Sequence, residues 1–120
     1  MPYTYPTTAP SRKHTATIAS GASLSDAVAI QPTHTLAGIL MPAAWDAADL
    51  TFQGSFDGTN YGDLYSDDGS EVTIPAAAGR IIPVGSSDLR AMPYLKVRSG
   101  TSATPVAQTA VRTITLVSHP

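Results

Sequence analysis

The chain has no cysteine at all, so disulfides and thiolate metal sites are excluded and redox chemistry says nothing about its compartment. Glu occurs once, Lys twice and Gln three times in 120 residues. These three types fill exposed helix positions in most soluble proteins, and their scarcity speaks against a helical domain. Charge is sparse at 13% with a net of −2, which fits neither a nucleic-acid binder nor a disordered acidic tail. No apolar run approaches the roughly 20 residues needed to cross a bilayer. The opening "MPYTYPTTAPSRKH" lacks the apolar core of a signal peptide. The expectation is a soluble product made in the cytoplasm, with no membrane and no nucleic-acid partner.

What is abundant is small, turn-forming and β-tolerant: 18 Ala, 15 Thr, 12 Ser, 10 Pro and 9 Gly. The length suits one domain, large enough to bury a core without staples. Residues 1–13 hold three prolines and no hydrophobic period, which reads as an extended, PPII-like arm. Tyr3, Tyr5, Arg12 and Lys13 on that arm are the candidate partner contacts, because Tyr gives large contact area at low entropy cost and Arg is favoured at interfaces. A plain mobile tail is the competing reading.

From His14 onward, short segments alternate or run apolar between Gly/Pro-rich turns. They fall at His14–Ile18, Asp26–Ile30, His34–Met41, Leu50–Phe56, Tyr61–Tyr65, Glu71–Ile74, Arg80–Val84, Tyr94–Gly100 and Val111–Val117. In His34–Met41 the apolar residues change face, and a bulge at Gly38 would realign them. Pro83 restricts its strand to an edge or an end. Ala43–Leu50 has a helical look but is too short to stand alone, so it reads as a loop that drops Trp45 onto the core. Gly85–Pro93 reads as a plain connection. Eight or nine short strands without a convincing helix predict an all-β sandwich or barrel over residues 14–120.

Charge is segregated along the chain. From His14 to Gly79 there is no Lys or Arg, but seven Asp and one Glu, a net of −8. Residues 80–120 carry +4, and Arg12 with Lys13 adds +2. Either the two halves neutralise each other within one sandwich, or acidic and basic faces of neighbouring copies meet in an assembly.

The acidic run "DGTNYGDLYSDDGSE", Asp57–Glu71, is the one candidate for chemistry. An EF-hand needs oxygen ligands at positions 1, 3 and 5, Gly at 6 and Glu at 12. Starting at Asp57 places Tyr61 at position 5, and starts at Asp63 or Asp67 place Tyr65 or Gly69 at position 3, so every register fails. A calcium site of another kind stays open. A glycosidase pair needs two facing carboxyls in a cleft, and no second strand supplies a partner for Asp63. The simplest reading is turn, strand, turn, with Asp chosen because it bonds its own backbone. His14, His34 and His119 lack zinc-ligand spacing. Nucleophile-elbow and phosphate-loop patterns are absent. Tyr94, Lys96 and Arg98 read as an ordinary strand with a wet face. No catalytic residue, metal or cofactor is expected.

One stretch carries a family resemblance. The runs "WDAADLTFQGSFDGTNYGDLYSDDGSEVTIPAAAGRIIPV" and "YLKVRSGTSATPVAQTAVRTITLV" contain Trp45, Leu50–Gln53, Ser55, Asp57, Gly58, Tyr61, Leu64, Tyr65, Gly69, Glu71, Arg80, Ile82, Leu95, Val97–Thr101, Pro105, Val106, Gln108, Arg112, Ile114 and Leu116. This pattern resembles small virion proteins of tailed bacteriophages over roughly Leu36 to Val117. The resemblance implies a discoidin-like jelly-roll sandwich and a non-enzymatic virion role, with capsid decoration (cement) foremost. It implies the major capsid protein or other virion proteins as partners, a homotrimer and a place on the capsid surface. A tail or fibre component, or a carbohydrate-binding module using Trp45, Tyr61 and Tyr65, is the alternative.

Overall fold

The computed structural model describes residues 11–120. Eight strands and one short helix follow in order: β1 (Arg12–Ile18), β2 (Val28–Ala29), β3 (Thr35–Leu40), β4 (Leu50–Ser55), β5 (Gly62–Asp63), β6 (Ile81–Pro83), α1 (Ser87–Arg90), β7 (Tyr94–Ser99) and β8 (Arg112–His119). They form two four-stranded sheets, in the orders β1-β8-β3-β6 and β2-β7-β4-β5, and every pairing between named strands is antiparallel. The expected all-β sandwich is the architecture. The first strand pairs with the last from Arg12↔Ser118 to Ile18↔Arg112, so both ends of the described chain lie in one sheet.

The core follows the alternation of the sequence. Ala16 and Ile18 of β1, Leu50 and Phe52 of β4, Leu95 and Val97 of β7, and Ile114 and Leu116 of β8 are fully buried between the sheets. Their sequence neighbours point to the opposite faces, as a period of two requires, although Thr51 and Arg98 are themselves buried there. In β3 the register shifts between Leu36 and Gly38, and the bulge leaves Leu36 and Ile39 both buried. The extra residue resolves the change of face that the sequence displays. β6 lies at a sheet edge, where the missing N–H of Pro83 costs no ladder bond.

Four expectations change. Arg12 and Lys13 belong to β1 rather than to an arm, because their backbone pairs with Ser118 and Val117. Glu71–Ile74 is not a regular strand, although Ile74 still bridges to Leu50 and Glu71 to Tyr65. Gly85–Pro93 is more than a connection. The Ser86 hydroxyl accepts from the Leu89 N–H and caps α1, which seats Leu89 in the core at 0% exposure. Arg98 is not on a wet face but is 6% exposed.

Candidate functional site

The acidic run lies along the β5 edge of the second sheet. Its first turn is built as the composition suggests. Asp57 Oδ1 accepts from the backbone N–H of Thr59 and of Asn60, both at 2.8 Å, while Asp57 Oδ2 accepts from Asn60 Nδ2 at 2.7 Å. The Ser55 hydroxyl accepts from the Gly58 N–H at 2.9 Å. Four donors, led by the Asn60 backbone N–H, hold the Asp57 carboxyl far below its ordinary range. Gly58 sits at φ +79°, and a Cβ there would stand 3.2 Å from the Tyr94 ring, so a side chain is disfavoured on two grounds. In the second turn Asp68 accepts from the Ser70 hydroxyl and backbone N–H, which lowers its pKa.

Asp63 and Glu71 do something that spacing did not reveal. The Arg98 side chain lies across β4, where Nη1 donates to the Thr51 hydroxyl at 3.4 Å. Its guanidinium ends between the Asp63 and Glu71 carboxylates, bonded to Asp63 through Nη2 and to Glu71 through Nη1 at 3.4 Å. Glu71 also accepts from the Ser102 N–H at 3.1 Å, and the Tyr65 and Ser102 hydroxyls pair at 3.2 Å. The Arg98 bond holds the Asp63 carboxyl below its usual value. The two carboxyls are therefore bridged by one guanidinium rather than facing each other across an open cleft.

A second lock ties the Trp45 loop to β8. Asp46 accepts from the Thr109 N–H at 2.7 Å and from Arg112 Nη2 at 3.1 Å. Gln108, fully buried, accepts from the Asp46 N–H and Arg112 Nε and donates to the Asp46 carbonyl and the Ser99 hydroxyl. Trp45 itself is half-buried against the core and donates from Nε1 to the Ala48 carbonyl at 3.0 Å. All three ion pairs among the described residues join the acidic half of the chain to the basic half, which bears out neutralisation inside one sandwich.

Of the candidate contacts, Tyr3 and Tyr5 lie outside the described residues, and Arg12 and Lys13 are exposed at the start of β1. The histidines, distant in sequence, converge on the same end of the first sheet. His14 Nε2 bonds the Ser118 hydroxyl, His119 pairs with Thr35, and Ser11 Oγ bonds His119 Nδ1. Burial, then the Arg12 charge, pushes the His14 pKa down. Among the described residues, no group of three or more His, Asp or Glu side chains is placed to hold a metal ion.

Two open grooves stand out among the described residues. One, of about 460 Å³, is lined by Gly54, Phe56, Asn60, Asp63, Tyr65 and Met92, with Phe56 83% exposed on the rigid Asp57 turn. The other, of about 260 Å³, lies on the outer face of the first sheet around Gly38. Tyr61 is half-buried beneath the Lys96 ammonium, 4.5 Å from the ring centre, so of the three aromatic candidates only Tyr65 faces a groove. Arg98, Glu71, Gln108 and Asp46 were the residues that sequence reasoning missed as partners. The usable signal was the single Glu of the chain beside an Arg interleaved with Leu95 and Val97. No family model, no curated protein and no solved structure matches this chain.

Proposed function

We propose that the chain is a non-enzymatic structural component of a bacteriophage particle, foremost a capsid decoration protein that binds the major capsid protein. One observation carries the reading beside the sequence resemblance: most polar residues of the shared pattern are spent on the framework. Trp45, Ser55, Asp57, Glu71, Arg98, Gln108 and Arg112 are all hydrogen-bonded within the chain. Gly58, Gly69 and Gly100 take φ of +79°, +91° and +87°, which their turns require. A pattern of this kind specifies a stiff sandwich rather than a reacting centre. The strand order 1-8-3-6 opposite 2-7-4-5 also supports the finer reading of a jelly roll, since two nested Greek keys place first beside last and third beside sixth.

On this reading the sandwich supplies rigidity, and the residues ahead of it, Tyr3 and Tyr5 included, reach a neighbouring subunit. The test is reconstitution with undecorated shells. Full-length protein should bind, and protein lacking residues 1–10 should fold yet fail to bind, because the cut spares β1. Equal decoration by both would remove the contact role of that segment, and binding by neither would remove the decoration reading.

A second reading has its own observation. The groove flanked by Phe56 and Tyr65, with Asn60 and Asp63 in its wall, has the aromatic and polar lining that a sugar-binding module uses. Glycan titration of the native protein and of Tyr65→Ala decides it. Saturable binding lost in the variant supports a fibre or tail role, and no binding to any glycan sinks it.

A further inference from the structure

The outer face of the first sheet carries an apolar hollow that its sequence need not have made. Gly38 leaves the floor without a side chain, and Leu40, Ile81, Pro83 and Val117 form the walls, with His119 at the rim. Ile81 is 72% exposed and Leu40 38% exposed, and the two face each other across the β3–β6 pair. Strand addition at this edge is disfavoured. Pro83 has no N–H to offer a neighbour, and β6 has only three residues. A partner here meets side chains rather than a ladder.

The chain itself enters at the rim. Ser11, the first described residue, bonds His119 through its hydroxyl at 3.0 Å, and His119 lines the hollow. The ten residues ahead of Ser11 read "MPYTYPTTAP", with two tyrosines and with prolines at 2, 6 and 10 that cannot donate to a strand. Pro-rich extended segments suit apolar grooves because little entropy is lost on docking. From Ser11 to Ile81 the path crosses three strand spacings, about 14 Å, and runs about 16 Å along the strands, a diagonal of about 22 Å. Eight residues to Tyr3 at about 3.1 Å each reach about 25 Å, and six to Tyr5 reach about 19 Å before its side chain is added, so either ring can arrive there.

We propose that this hollow is the docking site of the chain's own segment Met1–Pro10, with Tyr3 or Tyr5 seated over Gly38 against Ile81. A tether this short gives an effective concentration in the millimolar range, so weak contacts are enough and the same chain outcompetes a second copy at micromolar protein. The docking is a property of the free chain, a weak contact that gives way when the same segment reaches a neighbouring subunit, and it does not rest on the virion reading.

The experiment is NMR on isotopically labelled full-length protein and on Ile81→Asp, whose position is exposed enough to leave the fold intact. The ring of Tyr3 or Tyr5 should show nuclear Overhauser contacts to the Leu40 and Ile81 methyl groups, and the backbone of residues 3–8 should relax as an ordered segment, both independently of protein concentration and both lost in Ile81→Asp. Melting by circular dichroism checks that the variant folds. If it does not, the double variant Tyr3→Ala, Tyr5→Ala in an unaltered sandwich takes its place, with the same loss of backbone order expected together with shifted Leu40 and Ile81 resonances. Absence of the ring contacts in the native protein overturns the proposal. Contacts that vanish on dilution assign the segment to a neighbouring copy and also overturn it, as does backbone order unchanged by either variant.

Discussion

Replacing Arg98 by Met tests whether the bridged carboxylates hold the fold together. The side chain is 8% exposed and Glu71 14%, whereas Asp63 is 40% exposed. Removing the cation leaves Glu71 with a half-buried charge and only the Ser102 N–H and Tyr65–Ser102 framework around it. Breaking a buried pair from one side costs about 3–5 kcal/mol. Asp63 can turn to water, and its share is screened to a small fraction. The lower end, about 3 kcal/mol, is therefore the expected loss. For a domain of this size each kcal/mol moves the melting temperature by about 4 °C, so the midpoint should fall by about 12 °C. The assay is thermal and denaturant unfolding at neutral pH, with Asp67→Asn as an exposed control that should stay within about 2 °C. The double variant Arg98→Met, Glu71→Met removes both charges and should recover at least half of the loss. If Arg98→Met melts with the control, the bridge is a bystander and the framework reading of the shared pattern fails.

Other outcomes follow from the same structure. Gly100→Ala should cost well over 2 kcal/mol, since a Cβ at φ +87° would stand 2.6 Å from the Thr104 carbonyl and 2.7 Å from the Val106 nitrogen, whereas open Gly62→Ala should be near neutral; equal denaturation midpoints would contradict this. Leu89→Ala should lose about 2–5 kcal/mol although α1 is a single turn, because Leu89 is fully buried; a loss under about 1 kcal/mol would mean that the helix is not docked on the core. Asp46, Asp57, Asp63 and Asp68 all titrate below the ordinary 3.8, so the unfolded chain binds more protons and their stabilisation is complete above that value and lost as pH falls through the depressed ones. His14 is lowered from 6.5 and has the same sign, so the melting temperature should be flat above about pH 7, dip below 6.5 and fall steeply below 3.8. His14→Gln should abolish the upper dip alone, and its persistence would assign the dip elsewhere.

Strands were legible where one face is buried. Leu50 and Phe52, Leu95 and Val97, and Ile114 and Leu116 each alternate with polar residues, and the Gly38 bulge and the Pro83 edge announce themselves by local chemistry alone. The turns at Asp57 and Asp68 were legible for the same reason, because Asp bonds backbone within three residues. Arg98 was misread because its partners are 35 and 27 residues away, and only the pairing of β7, β4 and β5 brings them together. Glu71–Ile74 alternates like a strand, yet only isolated bridges form there, since Glu71 is drawn to Arg98 and Ser102. The four-residue α1 has no period to detect, and its cap became readable only once Leu89 had a core to enter.

The most direct measurement on the central claim is the number of copies of this chain in purified particles, read by quantitative mass spectrometry against the major shell subunit and located by electron cryomicroscopy. A capsid decoration protein should be present in proportion to the shell, with density on its outer surface. A handful of copies at one vertex, or none, would contradict the account.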